Sequence, residues 1–196
     1  MIIQSQKDDV VARVRSQVVE RFPELPGRIS CMYSTYFLLL EFEDLGIAAL
    51  PCAGSMSWPR VTRELDDGVS PSHYSYTWSP DCIMSIISVA MAALPEMHVW
   101  VALEATREYV DINTRYFPEA CETVTGLKWL SPPPPDYLWV IVPRDIPDWV
   151  LYEGNMQAII VTLQYLDRLA RKHNLLRKPK CLSLLNKLNG SKMTPG

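Results

Sequence analysis

Apolar residues recur at Val10, Val11, Val14, Val18, Val19 and Phe22 within QKDDVVARVRSQVVERF. That is one face of an amphipathic helix, so the spacing predicts a helix over 6–22, stopped by the PELPG that follows. The next run, CMYSTYFLLLEFED, is apolar nearly all round from Cys31 to Leu40. It predicts a buried, central helix from Cys31 to Asp44, with Ser30 as its N-cap and Gly46 just past its end. IAALPCAGSMSW, residues 47–58, reads as a strand leading into a Gly/Ser turn. RELDDGVSPSHYSYTWSPD reads as a surface excursion with a short strand at Tyr74–Trp78, and CIMSIISVAMAAL, residues 82–94, as a second buried helix.

The clearest alternation follows. HVWVAL and EYVDIN flank a polar EATR, which is the pattern of two strands around a tight turn. SPPPP enforces an extended connection into an apolar strand, Tyr137–Val142. A strongly periodic segment predicts a helix over Glu153–His173, and the chain closes in NGSKMTPG, expected to fray. The order of elements predicts an α+β domain with helices packed on a mainly antiparallel sheet. That domain is expected over residues 1–175, with a basic tail at 176–196.

Composition narrows the classes. With 196 residues, 48% hydrophobic, the chain is long enough for one sizeable core. It holds no apolar run of membrane-spanning length, and its N-terminus carries charges where a signal peptide needs an apolar stretch. A soluble, cytoplasmic protein with no membrane partner is the expectation. Five cysteines (Cys31, Cys52, Cys82, Cys121, Cys181) are odd in number and lack CxxC or zinc-finger spacing, which argues against a disulfide framework or a structural metal. All 22 acidic residues lie at or before Asp167, whereas 8 of the 19 Lys and Arg follow it. That cationic end complements a helix dipole and an acidic body, and a nucleic-acid partner is disfavoured.

Cys31 stands where a loop ends and a buried helix begins. It is either a small core residue or a nucleophile. The unpaired N–H groups at a helix start favour a thiolate and can also hold an oxyanion. A nucleophilic thiol needs a base, and there are three histidines. His173 sits among Arg171, Lys172 and Arg177 and reads as a surface cation; His73 lies in the excursion. His98 opens the first hairpin strand, sharing a strand face with Trp100. Asp111, on the returning strand, falls at or within about two positions of His98 across the hairpin, placed to orient its imidazole.

These residues resemble a family. A Cys opening CMYSTYFLLLEFEDLGI, then AALPCAGSMSW, then HVWVAL and EYVDIN on consecutive strands, is similar to the core of the papain-like cysteine enzymes, on their transglutaminase-like and arylamine N-acetyltransferase-like branch. The likeness covers residues 28–142 and rests on order and spacing. It implies a papain-like or transglutaminase-like core in which Cys31 is the nucleophile, His98 the general base and then acid, and Asp111 the residue that orients His98. The chemistry implied is hydrolysis or acyl transfer at an amide or acyl bond through a thioester, on a protein, peptide or small acyl substrate and with no cofactor. Two departures stand out: ELPGRIS lacks the Gln that the papain-like enzymes place shortly before their Cys, and PGRIS only echoes the acetyltransferases' Arg-Gly-Gly lead, so acetyl-CoA does not follow.

Each of these residues taken singly has a plainer reading, as a packing cysteine, a structural histidine and a strand acid. A catalytically silent module that binds a protein or peptide through an aromatic cleft is therefore the competing reading. Of the six tryptophans, Trp58 and Trp100 are the two expected near the cleft and in contact with substrate. Cys52, at a strand end, is the second candidate nucleophile.

Overall fold

The computed structural model describes residues 2–25, 31–65, 68–91, 96–126, 128–130, 132–147 and 150–186. The periodic N-terminal segment forms α1 (Gln4–Arg21), burying Val10, Val11, Val14 and Val18. The all-apolar run forms α2 (Cys31–Asp44), burying nine residues from Met32 to Phe42. Gly46, at φ +69°, turns the chain out of α2 while the Ile47 N–H returns to the Phe42 carbonyl at 2.8 Å. The Ser30 cap lies outside the described residues.

β1 (Ala49–Leu65) and β2 (Gly68–Tyr76) form a long antiparallel hairpin. Two expectations are corrected here. Gly54 and Ser55 do not turn but continue through the strand, and the Ser/Pro-rich segment before Tyr74 is strand, not irregular excursion. Cross-strand pairing, which sets Thr62 opposite Pro71 and runs on to Leu65 opposite Gly68, overrides the local turn preference. α3 (Ile83–Ala90) forms where the second buried helix was expected, but Ile83, Met84, Ile86 and Ile87 are exposed.

β3 (His98–Leu103) and β4 (Glu108–Asp111) make the expected hairpin, in register Val101 to Val110, and Arg107 takes a left-handed conformation in its turn. α4 (Phe117–Thr125) follows, then β5 (Leu138–Ile141) against β4. β6 (Leu151–Gly154) occupies residues whose latter part the sequence periodicity places in the last helix; α5 starts later and covers Met156–Lys172. The Asn155 side chain caps α5 by accepting the Gln157 and Ala158 N–H groups at 2.9 and 3.3 Å. α4 and β6 have no counterpart in the sequence reading.

Hydrogen-bonded neighbours in the antiparallel sheet run β2-β1-β3-β4-β5, with β6 also on β1. Gly54 pairs with His98 on one edge of β1 and with Gly154 on the other, and Met56 pairs in the same way with Tyr76 and Tyr152. β2 and β3 therefore meet the same edge of β1 end to end, opposite β6. Paired residues share a face, so Trp100, His98, Tyr76 and Tyr152 all project from one side of the sheet. The other side carries Ala53, Val99 and Val101 into the main core with α1, α2 and α5. On the His98 side, Phe117, Ala120 and Cys121 of α4 close a second cluster with Met56, Trp58 and Tyr74.

α1 also braces β4 and the residue that follows it. Lys7 reaches Glu108 at 3.4 Å, and Arg15 donates to the Ile112 carbonyl at 2.8 Å. The cationic end of the chain packs on the body: Tyr36 donates to the Arg177 carbonyl at 2.5 Å, Arg177 pairs with Asp44 at 2.7 Å and Lys178 with Asp167 at 2.8 Å. Cys181 and Leu182 are buried in the main core, so residues 176–186 join the domain rather than trailing from it. NGSKMTPG lies outside the described residues.

Candidate active site

Asp111 is the centre of the site. Its Oδ2 accepts from His98 Nε2 at 2.6 Å and from the Tyr152 hydroxyl at 2.7 Å, while its Oδ1 accepts the Asn113 N–H at 2.9 Å. His98 and Asp111 are 2% and 1% exposed, so the pair is sealed from bulk water. Burial pushes the Asp111 carboxyl up, but the attraction of His98 and the three hydrogen bonds outweigh it, and the group is held below its ordinary value. An ionised carboxylate only accepts, so Nε2 carries a proton, and in the neutral imidazole Nδ1 is the nitrogen left as a base.

Rings fix the imidazole. Tyr76 stacks on it with centroids 5.6 Å apart, Trp100 stacks at 6.2 Å, and Phe117 meets it edge-on at 5.3 Å. The Tyr74 hydroxyl donates to that of Tyr76 at 2.8 Å.

Cys31 stands at the first position of α2 and keeps partial exposure as a residue. Its thiol, however, is desolvated: burial and then the Asp111 charge push it up to about 12, against the N–H groups of Met32, Cys31 itself and Val99, which favour the thiolate. This reverses the expectation of a thiol lowered by the helix start. The helix effect is present but smaller than the loss of water. Val99 is the residue after His98, so the thiol meets β3 where the imidazole leaves it. Among the described residues Cys31 and His98 form no hydrogen bond.

The structure thus brings Cys31, His98 and Asp111 to one end of the sheet. Trp100 and Trp58 are nearby but 1% and 5% exposed, Trp100 edge-on to Tyr152 at 5.1 Å and Trp58 against Phe117 at 5.9 Å. They pack beneath the site, Trp100 stacked on His98 and Trp58 set against the Phe117 ring. His173 is also corrected: half-buried between Phe22 and Tyr33, it is pushed down by burial and by Lys172 rather than acting as a surface cation. Cys52 is pushed up to about 11 by burial.

Tyr76, Tyr152 and Asn113 were missed by the sequence reading. Tyr152 gave no signal, since LYEG alternates nothing and its partner strand lies far away in the chain. Among the described residues no cluster of three or more His, Cys, Asp or Glu is placed to hold a metal ion, and no helix is long and apolar enough to cross a membrane.

What these observations define is an α+β domain built on an antiparallel sheet, with a sealed His–Asp–Tyr array beside a helix-start cysteine. Searches against protein-family models, curated proteins and solved structures find no match to this chain.

Proposed function

We propose that this chain is a cysteine-dependent hydrolase or acyltransferase with a papain-like arrangement, acting on an amide or acyl bond of a protein, peptide or small substrate. The observation that carries the reading is the sealed His98–Asp111 pair, with Nδ1 left as a base and the Cys31 thiol lying against the next residue of the same strand.

The chemistry follows the site's proton inventory. A thiol held as S–H passes its proton to Nδ1 as sulfur attacks the carbonyl carbon, because a resting ion pair is disfavoured by burial. The N–H groups of Cys31 and Met32 at the helix start offer hydrogen bonds to the oxyanion. Collapse expels the amine or alcohol, which takes the proton from Nδ1 and leaves a thioester on Cys31. Water or an amine then attacks the thioester, gives its proton to Nδ1 and releases the acyl group, and sulfur recovers the proton.

The test is acylation by an activated ester such as p-nitrophenyl acetate, read by intact-protein and peptide mass spectrometry. An acyl group on Cys31 that hydroxylamine removes is expected, absent in Cys31→Ser and slowed at least about 100-fold in His98→Ala. Equal labelling of wild type and His98→Ala would remove the proposal. The silent-module reading is favoured by one observation, the thiol pushed up to about 12. It requires no labelling of Cys31 at all.

A further inference from the structure

Tyr152 reaches the site by an unusual route. It lies on β6, whose approach to β1 is closer than side chains allow: a Cβ on Gly54 would stand 2.1 Å from the Glu153 carbonyl oxygen. Gly54 also has φ +157°, a conformation that L side chains rarely adopt. The Asn155 N–H donates to the Ala53 carbonyl at 2.8 Å and fastens the strand's far end. Glycine at 54 thus sets the depth at which Tyr152, paired with Met56, meets the carboxylate.

The hydroxyl lands on Oδ2, the same oxygen that holds His98. From the geometry we infer that Tyr152 is a positioning residue: its hydroxyl locks the Asp111 carboxylate in the orientation His98 needs and weakens it as a base, so that the Nε2 proton stays on the imidazole. Asn113 holds the other oxygen, and with both fixed the carboxylate cannot rotate away. A carboxylate accepting three hydrogen bonds competes poorly for a proton, which matters most when Nδ1 gains a second one and the imidazole becomes cationic. Tyr152 itself is held protonated, raised well above its ordinary value by burial and then by the Asp111 charge. The groups facing Asp111 are His98 from β3, Tyr152 from β6 and the Asn113 N–H, with the Cys31 thiol from α2 and the Tyr76 hydroxyl from β2 feeling its charge. The catalytic value of this lock rests on the proposed chemistry, but its physical effect on His98 does not.

Tyr152→Phe keeps the ring against Trp100 and deletes only the hydroxyl. Nitrogen-15 spectra of the three histidine rings, with His98 assigned through His98→Gln, report the tautomer and the exchange of its Nε2 proton with water. Carbon-13 carboxyl spectra report Asp111. Expected for Tyr152→Phe are Nε2-proton exchange faster by about tenfold, which is about 1.4 kcal/mol, and an Asp111 midpoint moved upward. A variant that alters only the melting temperature, with both spectra unchanged, overturns the positioning role. If the spectra change as expected while Cys31 resists acylation, the acyl-transfer reading falls and the role of Tyr152 stands. If Cys31 is acylated and the spectra do not change, the reverse holds.

Discussion

The rings of Tyr76 and His98 stack with planes 26° apart because β2 ends and β3 begins on the same edge of β1, opposite Met56 and Gly54. The chain leaves that edge to form α3 and returns to the neighbouring position. An aromatic pair adds about 0.5–1.5 kcal/mol beyond the area it buries. Tyr76→Ala is therefore expected to lower stability by about 2 kcal/mol and to release the imidazole into several ring orientations. Tyr76→Phe should retain the single orientation. Urea melts and His98 line widths check both, and equal behaviour of Ala and Phe would mean that the stack does not hold the ring.

The thiols differ in what surrounds them, and their alkylation should show it. Cys82, exposed just before α3, is lowered by the N–H groups of Ser85 and Met84. Burial pushes Cys31 and Cys181 up to about 12 and Cys52 to about 11. Iodoacetamide at about pH 8, below the unperturbed thiol value of about 8.5, should modify Cys82 first and Cys31 at least about tenfold more slowly. Peptide mapping over time gives the order. Fast, selective modification of Cys31 would mean that its thiolate is stabilised by a charge absent from the resting arrangement.

The close approach of β6 makes Gly54 a sharp test of the sheet. Gly54→Ala should displace β6, expose the amides of Leu151–Gly154 to faster hydrogen exchange and cost more than about 1 kcal/mol. Gly46→Ala meets no atom within 4 Å, so its cost is confined to the positive φ, at about 1 kcal/mol. If the two substitutions cost the same and leave β6 protected, the strand is not seated by the glycine.

Much of the fold could be read where one element carries its own signal. α1 and α2 declare themselves through helical spacing and an unbroken apolar run, and β3–β4 through alternation about a polar turn. That hairpin also places Asp111 beside His98, since the register Val101 to Val110 leaves the acid one diagonal step away. What depends on distant partners was hidden. β6 is four residues long and exists because β1 accepts it, so Tyr152 was invisible. The Ser/Pro-rich run is a strand only because β1 extends alongside it. The reverse error is α3, whose uncharged sequence mimics a core helix although Ile83, Met84, Ile86 and Ile87 are exposed. For Cys31 the helix start was legible, but desolvation, which decides the sign of its shift, belongs to the packing.

Asp111 ties stability to pH. Its folded value is lowered, so as pH falls the unfolded chain binds the proton first, at about 4. The contribution is therefore complete well above pH 4 and is lost as pH drops toward the folded value. Asp111→Asn keeps the shape but removes the charge that His98 and Tyr152 engage. At neutral pH it should cost about 1.5–3 kcal/mol, the worth of a hydrogen bond to a charged group. That gap should close as pH falls from about 5 to about 3, because protonated Asp111 resembles the amide. Urea unfolding of both proteins across that range measures it directly. Parallel stability curves would mean that Asp111 titrates alike in the folded and unfolded chain, and the sealed pair would then contribute packing alone.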